Sequence, residues 1–300
     1  MRDFPIKRIL VPTDLSQPGT IALRYARLFA EKFSAGLLVI YAEPMIYPAA
    51  GLGIAGVYAD DPQALIERES EIRIYANEPL GGVAFDVVAT GGDPIPSIVH
   101  EAEERGADLI VMATHGLRGW RRAILGSVTE GVLHQGKVPV LSISRPDAHS
   151  STSFGVKKIL CPINFTAAAR ESLDYAAHLA ESFDAELAVV HVVEHTDPVS
   201  AMVVEDDVRS WIAPSIQKRC TVRELVLRGG AAERVLDCAE DIGADLLVIG
   251  AQQKLFRDVT TIGTTTERIV RFARIPVLTL PLAVETKVGA DARTRIAFTV

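Results

Sequence analysis

Two stretches of the chain hold residue types and spacings able to grip an anion. Asp14 ends an apolar run, Ile9-Leu10-Val11-Pro12-Thr13, and a later run closing on Met112-Ala113 opens into Thr114-His115-Gly116. Nine residues then intervene before Gly126-Ser127. A glycine-containing loop that feeds a serine and a helix beginning near Val128 aims backbone N–H groups and a hydroxyl at phosphate oxygens. Within the loop, Arg118, Arg121 and Arg122 either neutralise phosphate or form a solvated basic segment. His115, at the loop entrance, has three open roles: phosphate contact, acid, or hydrogen-bond partner of the backbone.

Other spellings carry less. Gly51-Leu52-Gly53-Ile54-Ala55-Gly56 matches the dinucleotide fingerprint, but it follows Pro48-Ala49-Ala50 where a strand is required, and it reads better as a lid. The absence of Gly-x-x-x-x-Gly-Lys-(Ser/Thr) argues against a fast P-loop ATPase or kinase. Neither a Gly-x-Ser-x-Gly elbow nor an HExxH pair occurs. His191, His195, Cys220 and Cys238 follow no zinc-ligand spacing, and with Cys161 the three cysteines read as small core residues. Glu205-Asp206-Asp207 reads as a solvated helix end. A net charge of -7 argues against a nucleic-acid partner. No run of apolar residues is long enough to cross a membrane, and Met1-Arg2-Asp3-Phe4-Pro5 leads into Lys7-Arg8 instead of an apolar leader, so a cytoplasmic protein is expected.

An internal duplication positions these groups. Ile9-Leu10-Val11-Pro12-Thr13-Asp14 matches Ile159-Leu160-Cys161-Pro162-Ile163-Asn164, 150 positions later. Gly106-Ala107-Asp108-Leu109 matches Gly243-Ala244-Asp245-Leu246, 137 positions later, so the first copy carries thirteen extra residues (150 minus 137). They fall between Glu43 and Pro62, where Pro and Gly break any period. At 300 residues and 48% hydrophobic content, each copy can bury its own core. Domains are expected at 1–145 and 156–283, with a polar linker at 146–155 and a tail at 284–300.

Within each copy short β-branched runs alternate with helix-period segments, which predicts a parallel sheet covered on both faces. Strands are expected at 36–42, 83–88, 108–113 and 138–144, and helices at 21–33, 62–76, 96–105 and 128–135, with Ser16, Asp61 and Asp93 as N-caps. Second-copy strands are expected at 158–163, 186–193, 222–227, 245–250 and 277–280. Ligands of such sheets settle at the carboxyl ends of the strands, where strand order reverses.

The loop spacing and its context between the fourth strand and fourth helix resemble the universal stress protein nucleotide motif, Gly-2x-Gly-9x-Gly-(Ser/Thr), and the resemblance covers about 7–144 and 157–280. It implies two tandem doubly wound, Rossmann-like α/β domains, each with a five-stranded parallel sheet. It also implies binding of ATP or AMP, with or without magnesium. Carried over residue by residue, the first site comprises Pro12, Thr13, Asp14, Ala42, Met112, Ala113, His115, Gly116, Arg118, Gly126, Ser127, Val128 and Thr129. Asp14 is its acidic group, Ala42 marks the adenine side, and Ala113 stands where the motif has its first glycine. A weaker second site comprises Asn164, Val192, Gly250, Gly263, Thr264 and Thr265; there Gln253 replaces the second glycine and Asn164 the acid. The implied assembly is an internal pseudo-dimer whose last strands pair, with a homodimer as a further option. The expected function is regulation of a stress response. The alternatives are slow ATP hydrolysis, with His115 or Asp14 placing water, and a nucleotide-independent scaffold or a module for another small ligand.

Overall fold

The computed structural model describes residues 6–43, 62–114, 125–144, 155–194, 200–251, 253–256 and 259–281. The first copy runs β1 (Arg8–Pro12), α1 (Gln17–Phe33), β2 (Gly36–Glu43), α2 (Pro62–Leu80), β3 (Phe85–Gly91), α3 (Pro94–Glu104), β4 (Leu109–Ala113), α4 (Ser127–Gln135) and β5 (Val140–Ile143). The second runs β6 (Lys158–Ile163), α5 (Ala167–Phe183), β7 (Glu186–Val193), α6 (Ser200–Trp211), α7 (Pro214–Gln217), β8 (Val222–Arg228), α8 (Ala231–Asp241) and β9 (Leu246–Gly250). It continues through β10 (Gln253–Phe256), β11 (Val259–Ile262), α9 (Thr264–Phe272) and β12 (Val277–Leu280).

Helices α1 and α3 start earlier than their apolar periods suggest, at Gln17 and Pro94. Proline in the first turn lacks only an N–H that has no intrahelical partner there, so Pro18 and Pro94 begin these helices instead of delaying them. Asp93 caps α3 as expected, accepting from the Ile95 N–H at 3.1 Å. Ser16 occupies the α1 cap position without making a side-chain cap bond. Asp61, the Gly51–Gly56 stretch, His195, residues 146–154 of the linker and the tail lie outside the described residues.

Ten of the twelve strands described form one sheet, ordered β3-β2-β1-β4-β5-β12-β9-β6-β7-β8. All neighbours are parallel except β5 and β12 at the centre, which pair antiparallel with Val277 opposite Ser142, Leu278 opposite Leu141 and Thr279 opposite Val140. Helices cover both faces, so the strands read as continuous apolar runs. Each core layer crosses the central seam. One joins Val11, Leu23 and Phe29 to Leu173 and Leu187; the other joins Leu10, Ile110 and Val132 to Leu160, Leu247 and Ile269. At the seam Phe33 meets its counterpart Phe183 edge-on, with ring centroids 5.8 Å apart, and Phe29 packs on Phe183 at 5.3 Å.

The repeated Gly-Ala-Asp has a structural cause. The Asp108 carboxylate accepts from the N–H groups of Lys7 and Arg8 at 2.8 and 2.9 Å, while Asp245 accepts from those of Lys157 and Lys158 at 2.9 Å each. Each aspartate thereby ties the start of its fourth strand to the start of its first.

One feature departs from the expected pattern. Where the second copy should present a phosphate loop, β10 and β11 form an antiparallel hairpin, Gln253 opposite Ile262 and Phe256 opposite Val259.

Candidate functional site

Strand order reverses between β1 and β4: from β1 the chain builds outward through β2 and β3, then crosses back to lay β4 on the other side of β1. The carboxyl ends of these two strands therefore flank the crevice in which a ligand of this fold sits.

On the β1 side, the Thr13 N–H donates to the Ile40 carbonyl at 2.9 Å and so continues the sheet one residue past the strand. Leu15 then turns through φ 59°, and two side chains hold that turn. Thr13 Oγ1 accepts from the Leu15 N–H at 3.0 Å, and Asp14 Oδ1 accepts from the Ser16 N–H at 3.1 Å. Asp14 is exposed, Pro12 and Ala42 are half-buried, and Ala42 lies opposite Thr90 at the end of β2. Among the described residues the buried Ser16 hydroxyl has no hydrogen-bond partner.

Tyr75 of α2 completes this corner, its hydroxyl donating to the Ser16 carbonyl at 2.6 Å. Gly19 makes room for it, because a Cβ there would lie 2.4 Å from the Tyr75 hydroxyl oxygen. Burial pushes the Tyr75 phenol up from 10.0 to about 12, with the Thr13 hydrogen bond opposing the shift and the Asp14 charge adding to it. A raised acid pKa contributes stability that is intact below pH 10 and lost as pH climbs toward 12. Tyr75→Phe is expected to cost about 1 kcal/mol at neutral pH through the lost bond. It should also flatten alkaline destabilisation in that window, read by denaturant titration at stepped pH; an unchanged pH slope would contradict the linkage.

On the β4 side, the Thr114 N–H donates to the Ile143 carbonyl at 2.9 Å, and the Thr114 carbonyl accepts from the Gly126 N–H at 2.8 Å. Gly126 is the N-cap of α4 at φ -62° and ψ 139°, angles open to any residue. Its requirement is spatial: an added Cβ would lie 2.5 Å from the Thr114 carbonyl oxygen. This close approach sets the first turn of α4 against the end of β4, so the leading N–H groups of Ser127, Val128 and Thr129 stand at the crevice. The Thr129 hydroxyl proton is committed elsewhere, donated to the Ala113 carbonyl at 3.0 Å, so a phosphate would meet only its backbone donor. Met112 is 3% exposed and belongs to the core, which likewise limits it to backbone contacts. Ser127 is exposed. His115, Gly116, Arg118, Arg121 and Arg122 lie outside the described residues.

The second copy repeats the frame. Gly263 caps α9 at φ -62° and ψ 143°, the Thr266 hydroxyl faces the Gly250 carbonyl at 3.4 Å, and Phe165 turns through φ 57°. A Cβ on Gly250 would lie 2.6 Å from the Ala168 carbonyl oxygen, so this copy needs the glycine for which the first copy has Ala113. Thr264 and Thr265 are exposed at the helix start, and Val192 is half-buried. The exposed Asn164 accepts from the Thr166 hydroxyl at 2.7 Å. Beside it sits an aromatic group that the sequence reading does not anticipate. Phe165 packs on His191 at 4.6 Å and edge-on to Trp211 at 5.7 Å, and the Arg170 guanidinium lies 3.9 Å over the Trp211 ring.

Among the described residues no group of three or more His, Cys, Asp or Glu could hold a metal ion. A cavity of about 870 Å³ opens at the opposite end of the sheet in the second copy, between Asp184, Arg209, Lys218 and Thr221. It sits at the amino ends of β7 and β8, away from the crevice of this fold, and its lining mixes acids and bases without a converging set.

A doubly wound sheet with a glycine-capped helix at its switch point defines a protein class, and comparison with known proteins places the chain within it. The universal stress protein family matches residues 5–144 and 155–281, and the chain belongs to that family. A universal stress protein of Methanocaldococcus jannaschii is 35% identical over 144 residues, 47% of this chain and 83% of the relative. A second from the same organism is 27% identical over 158 residues, 47% of this chain and 97% of its own. The crystal structure of a universal stress protein from Archaeoglobus fulgidus superposes with a TM-score of 0.71 at 23% identity, covering 93% of this chain and 99% of that one, and shares the fold. Among the described residues no helix is long and apolar enough to cross a membrane.

Proposed function

We propose that the first copy binds an adenine nucleotide, ATP or AMP, and that the protein acts in a stress response through binding instead of rapid turnover. The observation that carries this reading is the contact of Gly126 with the Thr114 carbonyl, which holds the α4 N-terminus at the carboxyl end of β4, the strand that neighbours β1 at the switch point. Phosphates take the N–H groups of Ser127, Val128 and Thr129, with Gly116, His115 and Arg118 from the loop. Asp14 takes the ribose hydroxyls, with Pro12 and Thr13 beside it, and the backbone near Ala42, Met112 and Ala113 lines the base side. The second site, around Asn164, Val192, Gly250, Gly263, Thr264 and Thr265, lacks the acid and a motif glycine and binds more weakly or not at all.

Calorimetric titration with ATP and with AMP, each with and without Mg²⁺, tests the reading. Saturable binding near one nucleotide per chain supports it. Absence of binding by both nucleotides overturns it and leaves a nucleotide-independent scaffold.

A further inference from the structure

We propose that the second copy has converted its own phosphate loop into a clasp on the first copy's site helix. The equivalent segments of the two copies have different compositions. Between Thr114 and Gly126 the first carries Gly116 and Gly119, whereas the second carries Gln253 and four consecutive β-branched residues, Val259-Thr260-Thr261-Ile262. Such a run favours strand over a phosphate-wrapping turn, and glycine would have weakened it. The result is the β10–β11 hairpin, and β11 packs against α4 of the first copy across the central seam.

The clasp is anchored at its base. Ile262 of β11 is followed directly by Gly263, the N-cap of α9, and α9 is held to β9 by the Thr266 contact with the Gly250 carbonyl at 3.4 Å. A hairpin rooted in one copy thus bears on the helix whose first turn the other copy sets at its crevice. Donors held in place before a ligand arrives bind it more tightly than donors that must be ordered on binding. The second copy, without the acid at Asn164 and the glycine at Gln253, has a continuing role as a positioning element for the first. The effect on nucleotide affinity rests on the nucleotide reading above; the mechanical part does not.

Hydrogen exchange and ATP titration on a full chain in which residues 253–262 are replaced by a Gly/Ser segment of equal length separate the two. Amides of α4 are expected to exchange about tenfold faster or more, with α1 unchanged within about twofold. ATP affinity at the first site is expected to fall about fivefold or more. Unchanged exchange in α4, or an equal acceleration in α1, overturns the clasp whether or not ATP binds. Loosened α4 with undiminished ATP affinity overturns its role in positioning. A parent chain that fails to bind ATP refutes the nucleotide reading alone, and the exchange result still decides the clasp. Should the replaced chain not fold, Thr260→Pro, opposite Leu255 in the ladder, is read by the same two measurements.

Discussion

ATP titrated into the Gly126→Asp chain is expected to bind about 100-fold more weakly than to the parent, a loss of ~2.7 kcal/mol. Two effects combine. Any side chain at this position brings its Cβ to 2.5 Å from the Thr114 carbonyl oxygen, so the bond between the Gly126 N–H and that carbonyl must stretch and the first turn of α4 must move. The carboxylate then sits at the helix N-terminus, where it competes for the donors a phosphate would use and repels the phosphate's charge. Aspartate is also a favourable N-cap, which offsets part of the steric cost, so the variant should stay folded while losing the ligand. Thr265→Asp, which puts the same charge on an exposed position in the first turn of α9 and leaves the root of the hairpin intact, is the control and should leave ATP affinity within about threefold of the parent, a difference of less than ~1 kcal/mol. If Gly126→Asp keeps the parent's affinity, phosphates do not sit on α4.

Phe29→Ala is expected to destabilise the whole molecule by about 3–5 kcal/mol. Phe29 is fully buried and touches Phe33 from its own copy and Phe183 from the other, with centroids at 6.1 and 5.3 Å. The truncation therefore leaves a cavity where one core layer passes from copy to copy, and neighbours fixed by the sheet on one side and by α5 on the other collapse only partly into it. Denaturant unfolding followed by circular dichroism should move to lower midpoint as a single transition. A loss below about 1.5 kcal/mol would mean that the ring is replaceable by relaxation. The appearance of two separated transitions would mean that the copies fold as independent units.

The architecture was legible because its causes are local and repeated. The apolar runs mark strands buried on both faces, the 150-residue and 137-residue offsets align the copies, and Asp93 announces the start of α3 by a cap bond to its own near neighbour. What the sequence reading missed depends on contacts between distant segments or on competing local signals. Pro18 and Pro94 look like interruptions until their place in the first turn is known. The Tyr75 bond to the Ser16 carbonyl spans 59 positions and depends on how α2 lies against α1. Motif spacing marks Gly126 as part of the phosphate loop, whereas the property that demands glycine is its distance from a carbonyl 12 residues earlier (126 minus 114). The hairpin left a signal in the sequence: four β-branched residues, Val259 to Ile262, in a segment otherwise assigned to the motif's loop.

The antiparallel seam also fixes a schedule. Val140 of β5 pairs with Thr279 of β12, 139 positions later in the chain (279 minus 140), so no amount of folding within the first copy can close that edge. At a synthesis rate of about 5–20 residues per second, β5 waits about 7–28 s for its partner. During that interval the first copy presents an apolar strand with open hydrogen-bonding groups, a template for pairing with another chain. Fusing two copies into one polypeptide removes the search for a second subunit, and replaces it with a delay whose length is set by translation.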